Sequence, residues 1–269
     1  MQEQNNALIL SEQQEKLKKA IEKMRVELSM LILEKDHLQL IEYKNLEMQY
    51  MLEFGMLEYQ TYKLQCKMLR LKRKMELIQM RRNRQEEIDF DAIEDQLERE
   101  FEEYQTLLNE KINQMNGAML RNRAEFLSEQ ETKELKRLYR IIVKQLHPDF
   151  NEDLSEAQKE LFYKAVSAYE TGDLESLQMI AQMLDSKKEP EQENSLQSLQ
   201  REKEHLEQMI AKVNAQIEQL VSQFPFTVKY LLFDSEQANS YKQQLKELNE
   251  YYKQSIVIYK ARIKQLLEG

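Results

Sequence analysis

Only four glycines and three prolines occur in 269 residues, and that scarcity sets most of what this chain can fold into. Glycine supplies positive φ and proline a fixed φ, so folds built on many tight turns need both in quantity. A chain poor in them must spend its length in long, uninterrupted elements. Leu, Met, Glu, Gln, Lys and Arg fill it, and these lose little side-chain freedom in a helix. Charged residues make up 32% and aromatics 8%, with no Trp, which is the balance of long helices rather than of a sheet-based enzyme. The expectation is an all-α protein.

The apolar spacing divides that helical length. In residues 1–84, Leu10, Leu17, Met24, Leu31 and Leu38 recur every seven residues, with Ile21 and Leu28 at the companion position. This spacing draws one apolar seam along a supercoiled helix, which needs a partner helix or a second copy. The pattern then broadens through Leu46, Tyr50, Phe54, Leu57, Leu64, Met68, Leu71 and Met75, with Gly55 inside it. A break is expected near Asn83–Asp91. Residues 85–126 form an acidic helix with Ile93, Leu97, Phe101, Tyr104 and Leu108 on one face. Nine Lys or Arg and a single Glu lie between Lys63 and Arg84, whereas eleven Asp or Glu and a single Arg lie between Gln85 and Glu110. Adjacent segments of opposite sign attract, so the acidic helix is expected to pack back on the basic stretch. Binding of RNA or another polyanion by Lys63–Arg84 is the sharper alternative. It is disfavoured by a net charge of −9 and by the lack of aromatics between Met68 and Arg84.

Residues 127–185 read differently. Ser128 with Glu131 forms a capping box. The helix it starts has an apolar face of Leu135, Leu138, Tyr139, Ile142 and Leu146 and a basic face that includes Lys136, Arg140 and Lys144. Pro148 ends it, because the residue before proline is pushed out of helical geometry. Ser155 with Gln158 caps a second helix carrying Phe162, Val166 and Tyr169. Gly172 stops that helix, and Asp173 can cap a further short one through Leu184. Residues 186–194 are a polar linker. In 195–269, Leu199, Leu206, Val213 and Leu220 lie on one heptad seam. Phe224-Pro225-Phe226 interrupts it, and a last helix carries Tyr241, Leu245, Leu248, Tyr252, Ile256, Tyr259, Ile263 and Leu266. Two such helices joined by a short connection are expected to form an antiparallel hairpin.

The run from Leu138 to Asn151, with His147-Pro148-Asp149 near its end, resembles the centre of the J domain, the DnaJ-family module. Tyr139, eight residues before the histidine, and Phe162, Val166 and Ala168-Tyr169-Glu170 in the next helix stand where that family has its packing residues. The resemblance covers roughly 131–171. Joined to the heptad reading of the flanks, it gives the expectation of an all-α architecture in which a J-domain-like helical hairpin is embedded between long coiled-coil helices and the C-terminal hairpin. It also implies a co-chaperone that docks on a DnaK-type ATPase chaperone and stimulates its ATP hydrolysis. His147, Pro148 and Asp149 would be the functional triplet, and Lys136, Arg140 and Lys144 the docking face. An exposed carboxylate accepts strong charge-assisted bonds from an arginine, and a basic face steers encounter with an acidic surface. The family's first helix has no counterpart just upstream of Ser128, and Met115–Phe126 is the segment that could replace it. Phe150 stands where a basic residue is common.

No phosphate-binding glycine loop, nucleophile pair or metal-ligand spacing occurs, so no enzyme, cofactor or metal is expected. His37 and His205 are expected to be solvated on heptad helices. The lone Cys66 suits a reducing compartment. The first residues lack signal-peptide order and no apolar run is long enough to cross a membrane, so a cytoplasmic location is expected. Self-association through the coiled coils is open. The alternative reading is a structural coiled-coil protein in which the J-like module survives only as a packing unit.

Overall fold

A computed structural model describes residues 2–123, 127–151, 154–184 and 195–268, with side chains described from Gln13 onward, Arg123 excepted. Among the described residues every regular element is helical. Helix α1 (Gln2–His37) leads through a π-helical turn (Leu38–Glu42) into α2 (Tyr43–Tyr50). A second π-helical turn (Met51–Gly55) follows, then α3 (Met56–Asn83). At the first turn the Tyr43 N–H bonds to the Leu38 carbonyl, five residues back. Each wide turn rotates the apolar stripe relative to a strict heptad, which is why the pattern broadens after Ile41. The chain forms two units, and their boundary falls inside α2, after Lys44.

The first unit comprises residues 1–44 and 125–226. Helix α6 (Glu129–Leu146), α7 (Glu156–Thr171) and α8 (Leu174–Leu184) pack against one another. Both expected capping boxes are formed, at Ser128/Glu131 and Ser155/Gln158. Gly172 ends α7 with φ 76°, and an added Cβ there would meet Leu127 at 3.2 Å. The Asp173 carboxylate then accepts the Ser176 N–H at 3.0 Å. Helix α9 (Leu196–Val221) buries Leu199, Leu206 and Val213 in one core with Ile21, Leu28 and Ile32 of α1. Arg25 bonds to Glu202, and the Tyr43 and Phe226 rings lie 6.4 Å apart. Contacts therefore advance together along both helices, so α1 and α9 run parallel. The expected linker, 186–194, lies outside the described residues.

The second unit comprises 45–124 and 227–269. Helix α4 (Phe90–Glu100) is capped by the Asp89 side chain. A break at Phe101 separates it from α5 (Glu102–Arg123), so the 85–126 segment is two helices rather than one. The basic stretch and α4 meet through Arg70–Glu94 at 2.5 Å, Arg73–Glu100 at 2.8 Å and Lys74–Glu94. The Arg73 guanidinium, with help from Gln96, holds the Glu100 carboxyl down at about 2. Behind these pairs Leu77, Ile78, Ile93 and Leu97 form a small core. A second core joins Tyr50, Met51 and Phe54 to Met115 and Ala118 of α5 and to Leu231 of the short α10 (Tyr230–Phe233). Gly55 permits the close approach of α5, since a Cβ there would lie 3.1 Å from Met115 Cγ. Helix α11 (Ser235–Glu268) runs along α3. The Tyr241 hydroxyl donates to Glu58 at 2.7 Å and Arg82 donates to the Leu266 carbonyl at 2.6 Å, so this pair is parallel as well.

One expectation about packing is corrected. The 195–269 segment does not close as an antiparallel hairpin, since α9 pairs with α1 in one unit and α11 with α3 in the other. Each seam packs instead on a seam in the first third of the chain. Leu248 is exposed, while Asn249 occupies the buried seam beside Leu245 and Ile256. Met115 belongs to the second unit's core, and 124–126 lie outside the described residues.

Candidate docking site on the helical module

Helices α6 and α7 bring the module's apolar residues together. Leu135, Leu138, Tyr139, Ile142 and Leu146 are buried, as are Phe162 and Tyr169, with Val166 packed at the margin. The Tyr139 and Tyr169 rings stack at 4.1 Å with an interplanar angle of 9°. Helix α6 ends at Leu146 because His147 precedes proline and takes extended geometry, with ψ 128°. The chain then turns tightly. The His147 carbonyl accepts the N–H groups of Phe150 at 3.0 Å and Asn151 at 3.1 Å, and the Asn151 side-chain amide at 3.3 Å.

His147 itself is only 7% exposed. Its ring meets Phe162 edge-on at 5.1 Å and Phe150 at 5.8 Å. Nδ1 accepts the Asp149 N–H at 3.0 Å, which leaves the proton on Nε2. Burial, assisted by the Lys35 charge and opposed by Asp149, lowers the imidazole to about 4. It is therefore neutral at pH 7. Its role is to brace the bend by holding the Asp149 amide in place. Asp149 keeps a third of its side chain accessible. Lys136, Arg140 and Lys144 are all exposed on α6. The bend thus carries its carboxylate at the surface and its imidazole inside.

The end of α1 lies against this site. Asp36, 9% exposed, accepts a hydrogen bond from the Tyr139 hydroxyl at 2.7 Å. Burial raises the Asp36 carboxyl, partly offset by that bond. The Tyr169 hydroxyl is pushed up to about 12, mainly by burial and further by Asp36. Lys136 Nζ lies 3.5 Å from His37 Nε2. An ammonium can only donate, so His37 Nε2 accepts and its Nδ1–H points to the Tyr169 hydroxyl 3.4 Å away. Burial, then Lys136, lowers the His37 imidazole. His37 is thus half-buried in a contact, not solvated. Lys44, just past the first π-helical turn, pairs with Glu170. Sequence reasoning missed Asp36 and His37 because both lie off the heptad seam. The signal available was the Leu28, Ile32, Asp36 spacing, which places a carboxylate on an apolar stripe.

Among the described residues, no group of three or more His, Cys, Asp or Glu is placed to hold a metal ion. No described helix is long and apolar enough to cross a membrane. In comparisons with protein-family models, curated proteins and solved structures, the chain matches none. The described residues are thus all-α and form two helical units, the first of which carries a three-helix module with a bend that exposes Asp149.

Proposed function

We propose that residues 127–184 are a J-domain-type docking module that engages a DnaK-type ATPase chaperone in the cytoplasm and stimulates its ATP hydrolysis. The parallel helix pairs would attach it to a client, a scaffold or a second copy. The observation that carries this reading is the Asp149 carboxylate, presented at a braced bend that follows the helix bearing the exposed Lys136, Arg140 and Lys144. Such a carboxylate can accept a bidentate bond from a partner arginine. The basic face would select an acidic partner surface and orient it. In this reading His147 acts through Asp149, by fixing the backbone that carries it.

The test is single-turnover ATP hydrolysis by a DnaK-type chaperone with the full-length chain added. Wild type is expected to accelerate turnover. Asp149→Asn should abolish the effect, and His147→Gln should weaken it, with helicity by circular dichroism unchanged. Absence of stimulation by wild type at every concentration sinks the proposal. A second reading, in which the module is only a packing unit, draws on the burial of His147 and the contact with α1. In that case Asp149→Asn changes neither binding nor turnover.

A further inference from the structure

We propose that the end of α1, residues Lys35–His37 with the π-helical turn after it, is a clasp that restrains the module's docking bend until a partner displaces it. The inference rests on the docking reading above and concerns how that same site is regulated. Three contacts make the clasp. Asp36 accepts the buried Tyr139 hydroxyl, His37 bridges Lys136 and Tyr169, and the turn 38–42 packs on α7. Lys136 belongs to the basic face, so α1 already engages part of the surface a partner would use. Lys35 also lies close enough to act electrostatically on His147, and Asp149 close enough to act on Asp36.

The construction suits reversible release. Lys136 and His37 meet at 3.5 Å, a long contact that an acidic partner can outcompete for the ammonium. The Asp36–Tyr139 bond is short and buried, so it opens only when α1 moves as a segment. A π-helical turn provides a place for such movement, because its wide hydrogen-bond ring sits between two stretches of regular helix. A partner that binds the released face pays for opening, and its apparent affinity is reduced by the closed fraction.

The experiment uses the full chain and two readouts. The double variant Asp36→Ala with Tyr139→Phe removes both ends of the buried bond and orphans neither. It is expected to speed amide exchange over 147–151 and to lower the concentration for half-maximal ATPase stimulation by roughly tenfold, the scale of one charge-assisted bond. Unchanged exchange over 147–151 overturns the clasp. In wild type, adding the chaperone should protect 136–151 while exposing 33–42. Protection of 136–151 with 33–42 unaltered also overturns the clasp and leaves docking intact. If the chaperone alters neither segment, the docking reading fails, and the exchange of the double variant alone decides whether α1 restrains the bend.

Discussion

Lowering the pH should loosen the first unit through one residue, His147. The imidazole titrates at about 4 in the folded chain, against 6.5 for an ordinary histidine. A base whose folded value lies below its unfolded value takes up its proton more readily once unfolded. Its contribution is therefore fully present above pH 6.5 and is lost as pH falls toward 4. At 1.36 kcal/mol per pH unit the difference amounts to about 3 kcal/mol. The cause is physical crowding, with Phe162 and Phe150 against the ring and 7% of the residue exposed. Asp36, whose carboxyl is raised, works in the opposite sense, since its ionisation above the ordinary carboxylate range costs the fold. The clean measurement is thus a difference. Urea unfolding of wild type and His147→Gln, followed from pH 7.5 to 4, separates the histidine from every other group. Gln loses ring packing at all pH values but carries no titration, so its curve should be flatter by about 3 kcal/mol over that range. Parallel curves for the two proteins would refute the argument that burial of this ring governs its protonation.

Tyr139→Phe keeps the ring stacked on Tyr169 but strips the donor from a buried carboxylate, and should cost about 1.5–3 kcal/mol in urea unfolding. A loss under about 0.5 kcal/mol would show that the hydroxyl contributes nothing there. Gly172→Ala forces a Cβ into left-handed geometry with Leu127 at 3.2 Å, and should lower stability by about 1–2 kcal/mol in the same assay, with Gly172→Asn milder.

Local chemistry was the most legible part of the chain. Ser128/Glu131, Ser155/Gln158, Gly172 and Asp173 signalled the ends of the module's helices, because capping depends on residues only a few positions apart. The buried face of α6 followed from its spacing for the same reason. Charge likewise paired Arg70, Arg73 and Lys74 with α4, which is close in sequence. What could not be read was which seam meets which. Leu199, Leu206 and Val213 suit an α11 partner as well as an α1 partner, since an apolar stripe carries no address. Asp36 and His37 were invisible for a related reason. Their importance comes from Tyr139 and Tyr169, more than a hundred residues away. The two π-helical turns blurred the heptad on which that reading depended.

The parallel pairing of α1 with α9 bears on biosynthesis. Arg25 and Glu202 are separated by 177 positions. At ribosomal speeds of 5–20 residues per second, α9 reaches α1 roughly ten to thirty-five seconds after α1 has been made. Throughout that interval the stripe of Ile21, Leu28 and Ile32 has no α9 to cover it. The intervening helices α6–α8, which pack mainly on one another, can associate well before then. The nascent chain therefore holds an assembled α6–α8 while the α9-facing stripe of α1 is uncovered, and that waiting stripe is where premature association between chains would begin.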